Sequence, residues 1–289
     1  MSVREAPPMR LRLRLYHHHD GARVAYREAG AGPPLVLLHA ALLSHREWEP
    51  VVAPLAERHR VVIPDLPLHG DSEDRPRHPY TLDWLAEVMA GFAEDVLGQK
   101  PLVVGHDAGA EIALRAIGAG LLAPSRLVLM PNRLHLPAQR SGARRAWRAV
   151  TLGGAVPGLD RALSHATRLV FTPKLGVRLS ERGSADAGDL MRHAFADVPG
   201  NPNLARSWAK CARRWPQGKQ TQLLELYPRL SMPVLLLWAD RDRLHPLASA
   251  EATLPLLPRG QLRVLPSTGF LMTYDDPVGV AREIVAFCR

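Results

Sequence analysis

The sequence predicts an α/β fold: a mostly parallel, doubly wound sheet with a helical cap inserted into it. Three observations carry this. Short, almost uninterrupted apolar runs recur at 35–38, 61–63, 102–104, 127–130, 234–238 and 262–265, and such runs suit strands covered on both faces. Amphipathic stretches lie between them, and alternation of strand and helix builds a doubly wound sheet. One long interval, 134–230, breaks the alternation.

The chain enters through a hairpin. Residues 11–16 alternate apolar and polar side chains at period two, and 22–27 repeat the pattern. Between them His17, His18, His19, Asp20 and Gly21 read as a solvated turn. Adjacent histidines can bind metal, but carboxylate and cysteine partners nearby are few, so no metal is expected. Residues 81–96 form the clearest helix: Thr81 is placed to cap it, and Leu82, Leu85, Val88, Met89 and Phe92 share one face. A second helix, 110–120, follows the third apolar run. From 134 to 230 no strand-like run of similar strength occurs. Helical pieces fall instead at 144–151, 186–196 and 203–213, with Trp147, Trp208 and Trp215 as packing residues. The division is therefore 1–133 for the first part of the core, 134–230 for the cap and 231–289 for the second part. Such a cap roofs a pocket at the carboxyl ends of the strands.

Composition excludes several function classes. Of 289 residues, 46% are hydrophobic and 22% charged, which is ordinary for a globular enzyme. The net charge of +9 comes from scattered arginines, with only Lys100, Lys174, Lys210 and Lys219 as lysines. No basic block or nucleic-acid motif accompanies the charge, so no nucleic acid is expected as partner. Two cysteines, Cys211 and Cys288, give neither a disulfide framework nor metal-ligand spacing, which suits a reducing compartment. The first residues lack an apolar signal core, and no run approaches the ~18 apolar residues of a membrane span. The expectation is a cytoplasmic protein acting on a small molecule, without a membrane partner. No cofactor is implied, since neither a dinucleotide fingerprint nor a P-loop is present. The oligomeric state is not legible.

Gly105, His106, Asp107, Ala108 and Gly109 follow the apolar run 102–104 and open the helix 110–120. A strand, a turn flanked by glycines, then a helix is the setting of a nucleophile elbow, whose turn is too tight for side chains on its flanks. The central residue is an aspartate. Beside a helix N-terminus the macrodipole favours its ionised form.

Further segments fall in a telling order. Residues 34–39 end an apolar strand in His39; 44–48 close on Trp48; 64–72 run Pro-Asp-Leu-Pro-Leu-His-Gly-Asp-Ser; 235–246 carry Asp240, Asp242, His245 and Pro246. With the elbow, these resemble the α/β-hydrolase superfamily, in particular its capped branch with an aspartate nucleophile, the haloalkane and haloacetate dehalogenases and epoxide hydrolases. The resemblance covers most of the chain outside the cap. It implies that Asp107 attacks an electrophilic carbon to form an ester, and that backbone N–H groups of Ala41 and Ala108 form the oxyanion hole. A histidine oriented by Asp242, rather than Asp240, would then activate water. Pocket residues implied are His39, Trp48, His106, Asn132, His245 and Phe270.

The resemblance fails at the base. The family sets its histidine near the C-terminus, where this chain has Gly269 followed by Phe270, and no histidine follows His245. A phenylalanine cannot deprotonate water. Each named activity also lacks its electrophile-handling group: Ala108 follows the nucleophile where a halide-cradling tryptophan would stand. On the elbow helix only Arg115 is near, and the one tyrosine of 134–230 is Tyr227, at its edge. The expectation is therefore an atypical enzyme in which Asp107 serves as general acid, general base or electrostatic group on a bulky, partly apolar metabolite. That work would be cyclisation, elimination or isomerisation, of the sort found in specialised metabolism. Two alternatives stand beside it: a conventional hydrolase with a relocated base such as His245, and a ligand-binding protein without turnover.

Overall fold

A computed structural model describes residues 11–137 and 172–289 apart from 99, 195, 199 and 200, together with 162, 164, 165 and 169. Eight strands form one sheet: β1 (Arg12–His17), β2 (Arg23–Ala29), β3 (Pro34–Leu38), β4 (Arg60–Pro64), β5 (Leu102–Gly105), β6 (Arg126–Leu129), β7 (Val234–Ala239) and β8 (Gly260–Leu265). Their spatial order is β1-β2-β4-β3-β5-β6-β7-β8. The hairpin β1–β2 pairs antiparallel from Arg12 opposite Glu28 to His17 opposite Arg23, and β2 joins β4 antiparallel. Every pairing from β4 through β3 to β8 is parallel.

Alternation along the strands sends side chains to two cores. Leu35 and Leu37 of β3, Val61 and Ile63 of β4, and Leu235 and Leu237 of β7 enter one. There they meet helices α1 (Glu49–Ala56) and, at the C-terminus, Pro277–Phe287. Val36, Leu38, Val62, Leu236 and Trp238 face the other way, against α2 (Leu82–Phe92) and α3 (Ala108–Gly118). This is the two-sided burial that continuous apolar runs demand. Thr81 caps α2 as its sequence suggests, its Oγ1 accepting a hydrogen bond from Trp84 N at 3.2 Å. The run at 262–265 departs from the expectation of cover on both faces. It belongs to β8, the last strand of the sheet, where most residues are partly or fully exposed and Val264 stands 38% exposed.

Between β6 and β7 the described chain is helical: α4 (Pro173–Leu179), α5 (Ala185–Ala194), α6 (Pro202–Arg214) and α7 (Gln222–Leu226). The helical piece expected at 144–151, and Trp147 with it, lie outside the described residues. No described helix is long and apolar enough to cross a membrane.

Candidate active site

Asp107 sits between β5 and α3 with φ 45 and ψ −111. A non-glycine residue held at positive φ costs of order 1–3 kcal/mol and persists only where its surroundings enforce it. The surroundings do. Asp107 N donates to Pro131 O (3.0 Å), while Gly109 N donates to His39 O (3.1 Å) and His106 O (2.8 Å). A Cβ on Gly105 would lie 2.7 Å from Ala110 N, and one on Gly109 would lie 2.3 Å from Leu38 O. Both glycines are steric requirements of the turn.

The imidazole that sequence reasoning found missing is supplied by His245. Its Nε2 stands 3.5 Å from Asp107 Oδ1, and its Nδ1 stands 3.0 Å from Asp242 Oδ2. This corrects the expectation of a site without a histidine. The correction has a local cause. Trp238, at the end of β7, donates its indole N–H to the carbonyl of His245 at 2.9 Å, and Leu244 N donates to Asp242 Oδ1 at 2.7 Å. The loop after β7 is thereby folded back so that an Asp-x-x-His segment presents carboxylate and imidazole together. Asp240 is exposed and accepts instead from Thr268 N (3.2 Å), away from the imidazole. Phe270 fills the space next to the relocated ring, stacked on His245 at 5.8 Å between centroids with the planes 28° apart.

The oxyanion loop follows β3. Ala41 N donates to Asp107 Oδ2 at 3.1 Å, so the N–H assigned from sequence meets the carboxylate directly. Ala108 is the first residue of α3, where a backbone N–H has no intrahelical partner. The loop is fixed from behind. Ala40 N donates to Glu47 Oε2 at 2.7 Å, the other Glu47 oxygen pairs with His106 Nδ1, and Leu42 N donates to His69 Nε2 at 3.1 Å. Leu66 N donates to His39 Nε2 at 2.9 Å.

These bonds correct three of the expected pocket residues. His39 and His106 are fully buried props of the loop, lining neither cavity described below, and Trp48 lies in the core beneath the opposite face of the sheet. Asn132, His245 and Phe270 do line the pocket.

Two cavities meet at Asp107. The larger, about 400 Å³, is walled by Asn132, Leu175, Leu179, Met191, His245 and Phe270. The smaller, about 220 Å³, is walled by His69, Leu85, Ile112, Trp208, Cys211 and Trp215. Ala41, Leu42, Asp107 and Arg133 line both. Sequence reasoning missed Arg133 and Glu111 and read Trp208 and Trp215 as packing only. The overlooked signal was a glutamate one turn along the elbow helix, a spacing that faces it toward the pocket mouth.

Charge in the site is coupled. Burial raises the Asp107 pKa, but hydrogen bonding and charge from His245, with help from His106 and Ala41 N, outweigh it and hold the carboxyl at about 2. Burial likewise works against a charged His245, yet the two carboxylates push it up to about 9. Both shifts favour Asp107 as the carboxylate and His245 as the imidazolium. His69, buried and beside His39, is held down to about 3 and stays neutral. Among the described residues, one further group of His and Asp atoms lies close enough to hold a metal: His45, Asp65 and Asp71. Arg27 already donates to both of its carboxylates.

A strand-elbow-helix aspartate facing a carboxylate-held imidazole beneath helices is an arrangement that suits the α/β-hydrolase fold. The chain belongs to the alpha/beta hydrolase family, whose sequence profile matches residues 35–283. It is similar to the pimeloyl-[acyl-carrier protein] methyl ester esterase of Aeromonas salmonicida, with 30% identity over 233 residues, 78% of this chain and 84% of that one. A segment of 100 residues is 38% identical to the soluble epoxide hydrolase of Corynebacterium sp. (strain C12), covering 34% of this chain and 35% of that enzyme. The fold matches that of an alpha/beta hydrolase fold protein from Burkholderia ambifaria with a TM-score of 0.79 and 23% identity, covering 94% of this chain and 97% of the other. Esterases and epoxide hydrolases are thus among the relatives.

Proposed function

We propose that this protein is a hydrolase working through an aspartyl ester, with Asp107 as nucleophile, His245 as base, Asp242 as its orienting acid and Ala41 and Ala108 N–H groups as the oxyanion hole. The observation that carries this reading is the bridge of His245 between the two carboxylates, at 3.5 and 3.0 Å. It favours the relocated-base alternative over proton-transfer chemistry by Asp107 alone, because a carboxylate held at about 2 is poorly suited to give up or keep a proton near neutrality.

The nucleophile also narrows the substrate. Attack by a carboxylate on an ester carbonyl yields a mixed anhydride, which reverts easily. Attack on an sp³ carbon bearing a leaving group yields an ordinary ester, stable until water is activated. An epoxide is the electrophile best supported, through the similarity to an epoxide hydrolase. The Asp107 oxygen attacks one epoxide carbon, the C–O bond breaks, and the electron pair goes to the oxygen, which takes its proton from the His245 imidazolium. Esterification removes the negative charge of Asp107, so His245 keeps only Asp242 as anionic partner and its affinity for a proton falls. The neutral imidazole then takes a proton from water as that water attacks the ester carbonyl. The resulting oxyanion is held by the two N–H groups; on collapse the ester C–O bond breaks, the departing alkoxide takes the proton of the newly added hydroxyl to give the diol, and the Asp107 carboxylate is restored beside the imidazolium. Residues of α4, α5 and α6 wall the cavities in which this chemistry runs.

Intact-protein mass spectrometry tests the reading. With 1-iodobutane, whose iodide leaves without a proton, the His245→Gln protein should accumulate an adduct on Asp107, and with an aryl epoxide Asp107→Asn should lower diol formation by about 10⁴-fold or more. Full activity in Asp107→Asn, or no adduct at Asp107 in His245→Gln, rejects the ester mechanism.

A further inference from the structure

The electrophile-handling groups of the named relatives are absent from their usual positions in this sequence, so opening an epoxide needs another group to receive the charge on the departing oxygen. Among the residues that line both cavities with Asp107, Arg133 is the one with a cationic side chain. It is a wall of both cavities, together with Asp107. Its guanidinium forks onto Glu111, Nε to Oε1 at 2.7 Å and Nη2 to Oε2 at 2.5 Å. Glu111 is itself fixed by Trp215 Nε1 at 3.0 Å and Gln220 Nε2 at 3.4 Å. The fork uses two edges of the guanidinium and leaves Nη1, a buried nitrogen with no hydrogen-bond partner. Such an unpaired buried donor costs roughly 1–3 kcal/mol.

The backbone that presents Arg133 is also built with care. Leu134, fully buried, is held at φ 53. Asn132 braces that turn, accepting from Leu134 N at 2.8 Å and donating to Met130 O at 2.7 Å. Strain in a non-glycine residue beside a pocket points to function.

We propose that Arg133 is the leaving-group residue of this enzyme, its free Nη1–H donating to the oxygen that departs from the carbon attacked by Asp107. This rests on the aspartyl-ester reading above. Arg133 keeps its own proton. The electron pair of the breaking C–O bond settles on the oxygen, Nη1–H holds that oxyanion, and His245 delivers the proton. Glu111 fixes the fork and cancels its charge, so the site offers one directed hydrogen bond rather than a net cation. Neutral epoxides are then the substrate class, in preference to electrophiles carrying a carboxylate. Because Asp107 and Arg133 lie where the two cavities meet, the favoured epoxide is internal, with one apolar arm in each cavity.

The test follows Asp107 alkylation in the His245→Gln background, where the ester persists and water replaces His245 as the proton source, using two electrophiles in parallel: trans-stilbene oxide, whose departing oxygen develops charge, and 1-iodobutane, whose iodide needs little help. Adding Arg133→Met should slow esterification by the epoxide by 10²-fold or more, the scale set by loss of one oxyanion donor, and esterification by the iodide by less than about threefold. Arg133→Lys, which keeps a cation opposite Glu111, is the second variant and should show the same selective loss for the epoxide. Equal slowing with both electrophiles, or none with either, overturns the assignment of Arg133 while leaving the aspartyl ester intact. Absence of the iodobutane ester when Arg133 is present overturns the underlying mechanism instead, and an iodobutane ester with no epoxide ester overturns the assignment of Arg133.

Discussion

Ester-forming catalysis asks one imidazole to hold a proton in the first step and to accept one in the second. In the proposed mechanism His245 meets this demand because one of its two anionic partners is Asp107, whose charge vanishes on esterification. The residue was legible in the sequence only as a candidate. Its distance of three residues from Asp242 was plain, but the direction of its ring depends on the Trp238 indole that draws the loop back, a contact without a sequence signature. Phe270 was legible as a departure from the family and not as a partner. The structure shows its ring between His245 and His106, at 5.8 and 4.6 Å. Position 270 therefore still faces the same cavity as Asp107. In a His245→Gln protein, adding Phe270→His should restore hydrolysis of the trapped ester by about tenfold or more over His245→Gln alone, a gain on the scale of one general base. Single-turnover decay of the adduct measures this, and an unchanged decay rate would show that a ring at 270 does not reach the ester.

At the level of elements, the parts that sequence disclosed best were those governed by sterics and periodicity. Flanking glycines, a preceding apolar strand and a following helix leave few conformations open, so the elbow could be placed without coordinates. The continuous apolar runs likewise gave the parallel strands, because helices on both sides must bury both faces. β8 escaped that reading since edge position is a property of strand order, which no single strand encodes. The glycine argument yields a test of its own. Gly109→Ala places a methyl 2.3 Å from Leu38 O, a backbone atom of β3 that cannot yield without moving the sheet. The substitution should lower unfolding free energy by about 3 kcal/mol or more, whereas Gly120→Ala, in open space though at φ 73, should cost about 1 kcal/mol. Denaturant midpoints of the two variants check the ordering. Equal losses would show that the elbow tolerates displacement and that its positive φ is not enforced by close packing.

For the molecule as a whole, the site and the fold are linked through protons. The fold was legible because strand-helix alternation is a global pattern, whereas the pocket's two-lobed shape was not, since it depends on how α4, α5 and α6 lie over the sheet. What the assembled molecule adds is a pairing of a buried imidazole with a half-buried carboxylate, whose charge state depends on folding. His245 has a native pKa of about 9 against an ordinary value of 6.5, so the folded state binds its proton more tightly than the unfolded state. Its contribution to stability is complete below pH 6.5 and is lost as pH rises through about 9. Asp107 runs the opposite way, from 3.8 down to about 2, so its share is present above pH 3.8 and fades as pH falls toward 2. Many other groups titrate in this chain, so the quantity to follow is the difference in unfolding free energy between the wild-type protein and His245→Gln. That difference should be greatest between about pH 4 and 6.5 and shrink steadily toward pH 9 and beyond. Guanidinium unfolding at half-unit steps of pH gives it directly. A difference that stays level or grows between pH 6.5 and 9 would mean that the imidazole is neutral in the resting protein, and the proton delivered to the departing oxygen would then have to come from elsewhere.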